Sequence, residues 1–199
     1  MDVACGTGNN SILFSKQGLT VSGIDFSEEM LIQAKKKTRE LRLPIKFYKQ
    51  SFLNLKLNQT FDSAICLDFS TNHLLNEKEF LKFLENIYYH LKTGGIFVFD
   101  YKPLKDFKRK FNYNSPKKIG DWEYFFKPKY KLPFATLFFY LQNNLGKKYC
   151  SKSLNRFFSL HELKEIILKS NFNLIDIYED YSFNKPSKNS KFWFFVLRK

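Results

Sequence analysis

Met1-Asp2-Val3-Ala4-Cys5-Gly6-Thr7-Gly8-Asn9-Asn10 opens the chain, and the rest of it is read outward from there. The stretch reads as the end of a buried strand running into a tight glycine turn, with a helix behind it. Ala4, Gly6 and Gly8 leave no bulk around the turn, and glycine supplies the positive φ such a turn needs. Asn10 or Ser11 is expected to cap the helix, whose positive end then faces the turn. A ligand can approach such a backbone closely. A plain structural turn between strand and helix has the same local signature. A nicotinamide-binding fingerprint needs a third glycine three residues after the second, where this chain has Ser11.

The next hundred residues alternate strand and helix signals. Ser11 to Gln17 reads as a short helix stopped by Gly18. Leu19 to Asp25 reads as a strand ending in an acid. Ser27 caps a helix with Glu28 and Glu29 in its first turn and lysines at 35 to 37, a charge order that suits the helix dipole. Ile45 to Lys49 and Phe61 to Leu67 read as strands. Glu77 to Leu91 carries the helical period, with Phe80, Leu81, Leu84, Ile87, Tyr88 and Leu91 on one face. Gly94-Gly95 turns the chain into an apolar strand, Ile96 to Phe99, ending at Asp100. This order predicts an α/β fold: a doubly wound, mainly parallel sheet that binds its ligand at the strand carboxyl ends.

Lys102 to Arg156 breaks the pattern. Trp122 to Phe126 and Ala135 to Leu141 read as strands of a small antiparallel lid. The alternation then resumes: Ser159 with Glu162 forms a capping box, and strands at 172–178 and 192–197 close the chain as an antiparallel pair. The expected division is a core of residues 1–104 plus 153–199 and an inserted lid of 105–152.

The 199 residues carry a formal net charge of +14. Residues 102–152 hold 13 Lys/Arg against 3 acids, and the remainder 20 against 16, so one segment carries most of the excess. Such a segment attracts anions, nucleic acid included, although a solvated lysine-rich surface has the same composition. Cys5, Cys66 and Cys150 form no Cys-x-x-Cys pair, which points to reduced thiols in a cytoplasmic protein and to no disulfide frame or metal site. No apolar run reaches the ~18–20 residues that span a bilayer.

Asp25 lies 17 residues beyond Gly8. A carboxylate at the end of the second strand can accept hydrogen bonds from both hydroxyls of a ribose. The first motif, Asp2-Val3-Ala4-Cys5-Gly6-Thr7-Gly8, resembles motif I of the class I S-adenosylmethionine (SAM)-dependent methyltransferases. Gly23-Ile24-Asp25-Phe26-Ser27-Glu28-Glu29-Met30-Leu31 resembles the segment that follows it. Asn155 to Leu163 with Ser170-Asn171-Phe172 resembles the family's Arg-x-Phe-Ser-x-x-Glu-Leu … Gly-Phe stretch, Asn171 standing for the glycine of a left-handed turn.

The resemblance implies a Rossmann-like fold with an antiparallel last strand, SAM as cofactor, and no metal. It implies Asp2, Cys5, Gly6 and Gly8 at the cofactor turn, Asp25 on the ribose, and Phe26 and Met30 walling the adenine. Ser51 stands where an acid usually meets the adenine amino group, followed by Phe52. The backbone of Leu67 would hold the amino-acid portion. The absence of an Asn-Pro-Pro-Tyr or Asp-Pro-Pro-Tyr motif disfavours methylation of DNA bases. His73 is a candidate base, with a non-catalytic loop residue as the alternative. The acceptor is expected to be a small molecule. Ranked behind it are an RNA or tRNA methyltransferase using the basic lid, and a non-catalytic SAM-fold protein. The last rival arises because family members usually carry a few tens of residues before motif I, so the chain is expected to be truncated there.

Overall fold

The computed structural model describes residues 1–111 and 116–199. Four residues of the expected lid, 112–115, therefore lie outside the described residues. The elements in chain order are β1 (Asp2–Val3), α1 (Asn9–Lys16), β2 (Ser22–Asp25), α2 (Glu28–Glu40), β3 (Lys46–Lys49), β4 (Phe61–Cys66), α3 (Glu77–His90) and β5 (Leu91–Tyr101). They continue as α4 (Leu104–Phe111), β6 (Lys117–Ile119), β7 (Trp122–Lys131), β8 (Phe134–Asn143), β9 (Lys148–Arg156), α5 (Leu160–Leu168), β10 (Asn173–Glu179) and β11 (Trp193–Arg198).

Seven strands form the main sheet in the order β10-β11-β5-β4-β1-β2-β3. The pairs β1–β2, β2–β3, β1–β4 and β4–β5 are parallel. The last strand, β11, runs antiparallel to both β5 and β10. Strand order reverses between β1 and β4, which places the topological switch point at the carboxyl ends of those two strands. Right-handed crossovers send α1 and α2 to one face and α3 to the other.

Much of the aromatic content is explained by the α3 face. Phe80 and Phe83 of α3 meet edge to face, and Phe80 also contacts Phe99 and Phe158 at ring distances of 5.8 and 5.9 Å. Phe99 of β5 stacks on Phe195 of β11 at 4.7 Å. Leu163, Ile166 and Ile167 of α5 complete this core.

The second sheet, β6-β7-β8-β9, is antiparallel throughout. Both strands read from the sequence lie inside β7 and β8. Its inner face packs Ala135 and Leu137 against Phe107, Phe111 and Phe157. The helix α4 interrupts a segment that reads as irregular in the sequence: Leu104, Phe107 and Phe111 have helical spacing, but four cations among its eight residues hide the pattern.

Local expectations needed correction in three further places. Gly94-Gly95 lies within β5, where pairing with β4 shifts register between Phe61 and Ser63. Helix α1 has Gly8 at its N-cap, not Asn10 or Ser11, and no side-chain cap. Asn171 is not left-handed; Ser170 closes that turn, its Oγ donating to the Ile167 carbonyl and accepting from the Phe172 amide.

The capping box at α5 is complete: Ser159 Oγ accepts from the Glu162 amide, and the Glu162 carboxylate accepts from the Ser159 amide. Ser159→Ala is expected to lower stability by about 1 kcal/mol. Urea unfolding should show a lower midpoint with an unchanged slope.

Candidate cofactor and acceptor site

The turn after β1 uses Ala4, Gly6 and Gly8 at φ of 57, 52 and 77°. The Cys5 amide donates to the Ile24 carbonyl and the Gly8 amide to the Cys5 carbonyl, pulling the turn tight against β2. The two glycines serve different ends. A Cβ on Gly8 would lie 3.1 Å from Ala34 Cβ and 3.2 Å from the Phe47 ring, so this glycine lets α2 and β3 pack closely. A Cβ on Gly6 would meet nothing within 4 Å, so this glycine faces open space at the strand end. Gly8 brings no side chain to cap α1, and the Asp2 carboxylate lies against the first turn of that helix, where it accepts from Ser11 Oγ.

Asp25 is buried, and its carboxylate joins the two motifs: Oδ2 accepts from the Gly6 amide at 2.8 Å and Oδ1 from the Ser27 amide at 2.9 Å. A carboxylate has roughly four acceptor positions, so capacity remains for two hydroxyls. Beside it, Phe26 is 72% exposed and Met30 46% exposed. These are large apolar groups next to a polar strand end, as a flat aromatic ligand would require. The Met30 amide donates to Ser27 Oγ at 3.2 Å, fixing the start of α2.

Asp2 is buried and accepts from Ser11 Oγ at 2.5 Å. Burial pushes its carboxyl up to about 6. The half-buried Cys5 thiol is likewise pushed up, chiefly by burial. Ser51 caps a short 3-10 turn, Phe52–Asn54, accepting from the Leu53 amide. The Gln50 amide donates to the Asp25 carbonyl, which brings this segment against the end of β2. The Phe52 ring meets Phe83 edge-on at 5.3 Å, so it also serves the core.

After β4, the Leu67 carbonyl accepts from Ser70 Oγ. The next two residues, Asp68 and Phe69, are both left-handed, at φ of 62 and 51°. Two successive non-glycine residues in that region carry strain, and Asp100 holds them there. Its buried carboxylate accepts from the Asp68 amide at 3.0 Å and the Phe69 amide at 2.7 Å. Thr71 Oγ1 donates to the Asp100 carbonyl at 2.6 Å. Burial raises the Asp100 carboxyl to about 7. The buried Asn72 amide donates to the carbonyls of Lys102 and Arg156 and accepts from the Lys102 amide, tying this loop to β5 and β9. Neither Asp100 nor Asn72 has a local sequence signal for these roles. Asp100 reads as an unremarked strand end.

His73 is exposed, and its Nδ1 lies 3.1 Å from the Leu154 carbonyl. The structure thus sets its ring at the joint between the core and β9. Lys102 is fully buried, ion-paired to Asp106, with its Nζ 3.9 Å from the Phe192 ring centroid and 5.7 Å from that of Phe69.

Phe69 also borders a cleft of about 630 Å³ between the end of β4 and the inner face of the second sheet. Its other walls are Lys110, Phe111, Lys117, Tyr124, Phe125, Phe126 and Leu137. A smaller cavity of about 300 Å³ lies at the amino end of β1, among Met1, Phe14, Val21, Phe61 and Ile65. That is the wrong end of the sheet for a ligand in this architecture.

A family model described as a methyltransferase domain matches residues 1–95. A protein of Geobacillus sp. (strain WCH70), named as a methyltransferase, is 29% identical over all of this chain and 83% of its own length. The glycine/sarcosine N-methyltransferase of Parasynechococcus marenigrum is 36% identical over 51% of this chain and 37% of its own. Among solved structures, a SAM-dependent methyltransferase from Clostridium acetobutylicum superposes with a TM-score of 0.89 at 22% identity, covering 99% of this chain and 82% of that one. With the glycine turn, the strand order and these relatives together, residues 1–95 form a methyltransferase domain and the whole chain takes the fold of the SAM-dependent methyltransferases.

Proposed function

We propose that this methyltransferase acts on a small-molecule acceptor bound in the cleft between Phe69 and the second sheet, with SAM held at the β1 turn. The observation that carries this reading is the cleft itself. Its volume of about 630 Å³ falls within the roughly 300–1,000 Å³ usual for small ligands, and its walls are mostly aromatic. Further support comes from the glycine/sarcosine N-methyltransferase, whose named acceptors are small amines.

Gly6, Asp25, Phe26 and Met30 would hold the cofactor, with the Leu67 backbone at the neighbouring strand end. SAM supplies an electrophilic methyl group on its sulfonium. What the chain adds is orientation and exclusion of water. Asp25 locks the turn, and the Asp100-held loop sets Phe69 beside the cofactor end of the cleft. The second sheet shuts solvent out with rings. An amine acceptor needs no strong base here, since its lone pair attacks once it is unprotonated.

The test is production of demethylated cofactor when the protein and SAM are mixed with a panel of amino acids, amino sugars and other small amines. Turnover with at least one is expected. Phe69→Ala should raise the KM for that acceptor roughly tenfold, about the value of one well-packed aromatic contact, while the Kd for SAM stays within twofold. Turnover driven by RNA and by no small amine would overturn the reading.

A further inference from the structure

The second sheet has an outer face of which the methyl-transfer reading uses Phe125 alone. Side chains alternate between faces along each strand, and Ala135 and Leu137 mark the buried one. The register therefore sends Phe125, Lys127, Lys129 and Lys131 of β7 to the outer face, opposite Tyr140, Phe138, Thr136 and Phe134 of β8. Lys148 and Lys152 of β9 stand on the same face.

The rings there form a row. Phe125 and Tyr140 stack at 4.9 Å with 13° between planes, and Tyr140 continues to Phe138 at 6.4 Å and 23°. Lysines line the row: Lys127 Nζ lies 5.3 Å from the Phe125 centroid and 5.6 Å from that of Tyr140, and Lys129 Nζ 5.4 Å from that of Phe138. At the end of the row Lys129, Lys131, Phe134, Thr136 and Leu154 surround a shallow pocket of about 230 Å³. Two acids border this face, each with its own cation: Glu123 pairs with Lys118 at 3.3 Å, and Glu162 with Arg156, beside Phe134, at 3.6 Å. Among the described residues no ion pair uses Lys127, Lys129, Lys131, Lys148 or Lys152.

We infer that this outer face binds single-stranded nucleic acid, its bases on the Phe125–Tyr140–Phe138 row and its phosphates on the flanking lysines. Half-buried aromatic rings on a strand surface, interleaved with lysines, are the two components of sequence-tolerant single-strand binding. Charge argues against the alternatives. A second copy of the chain would set five lysines against five lysines. An acidic peptide would satisfy the lysines and leave the rings without planar partners. The pocket beside Phe134 is smaller than a metabolite site and suits one planar group. Phe125 also borders the acceptor cleft, whereas Tyr140, Phe138 and the five lysines do not line it, so the Tyr140 and lysine substitutions test this surface apart from the acceptor.

The experiment is fluorescence anisotropy of the full chain with labelled oligo(U) of about 12 nucleotides, a length within the usual single-strand site range. Binding is expected at roughly 50 mM salt and should weaken on the order of a hundredfold by 200 mM if all five lysines meet phosphates. Phe125→Ala and Tyr140→Ala should each weaken it about five- to a hundredfold. The triple change K127Q/K129Q/K131Q, confined to exposed tips that the fold does not need, should flatten the salt dependence. SAM affinity measured by calorimetry should be unchanged in every variant. The inference is overturned by failure to bind at the lower salt, or by binding that polyglutamate matches and the ring substitutions leave untouched. Self-association that excludes the oligonucleotide would overturn it as well.

Discussion

Asp25→Ala is expected to weaken SAM binding by about a hundredfold or more. In the structure the carboxylate accepts from the Gly6 and Ser27 amides, and the proposed cofactor site gives it the ribose hydroxyls as well. Hydrogen bonds to a charged group contribute about 1.5–3 kcal/mol each. Loss of two such interactions in the bound state gives at least ~3 kcal/mol, which is the hundredfold. The Gly6 amide would also lose its partner, so the open side of the turn would no longer be shaped for a ligand. Asp25→Asn retains one acceptor oxygen and should fall between the two, nearer a tenfold loss. Calorimetric titration with SAM, alongside circular dichroism to confirm folding, makes the comparison. A folded D25A protein that binds SAM within threefold of wild type would remove Asp25 from the site.

The second large effect concerns pH. Asp100 is 1% exposed, and burial holds its carboxyl near 7 even though two amides bond to it. In the unfolded chain the same group titrates near 3.9. Between those values the native state keeps a proton that the unfolded state has lost, so stability falls as pH rises from about 4 to about 7. At 1.36 kcal/mol per unit, the interval from pH 5 to pH 8 carries about 2–3 kcal/mol. Asp2, raised to about 6, acts in the same direction, and the Met1 amine, lowered to about 6 by burial, in the opposite one. Comparison with Asp100→Asn cancels both, because the variant keeps them and loses only the titrating group. Urea unfolding at the two pH values should show the wild-type protein losing those 2–3 kcal/mol relative to D100N. Parallel profiles would mean that Asp100 is ionised throughout. Ionised Asp100 is the form that accepts both the Asp68 and Phe69 amides, so the loop beside the cleft should be held best above neutral pH, where the fold is less stable.

The features legible in the amino-acid order are those whose physics is local. The glycine turn, the acid ending β2, the Ser27 cap, the helical period of α3 and the capping box of α5 each depend on residues a few positions apart. Their chain order was enough to reach the sheet type and the family. Where the sequence reading failed, a partner far along the chain was responsible. Gly8 caps α1 because α2 and β3 press on it, which no reading of Asn10 or Ser11 could reveal. Asp100 meets Asp68 and Phe69 across more than thirty residues, so its role exists only once β4 and β5 lie side by side. Lysine density in the insertion was plain from composition. Which lysines share a face with Phe125 and Tyr140 follows from pairing register, because a one-residue slip would turn every side chain to the other side. Local spacing thus established the strands of the main sheet, the caps of α2 and α5 and the glycine turn of this chain. Long-range pairing chose which buried acid holds the loop after β4 and which face of the second sheet meets solvent.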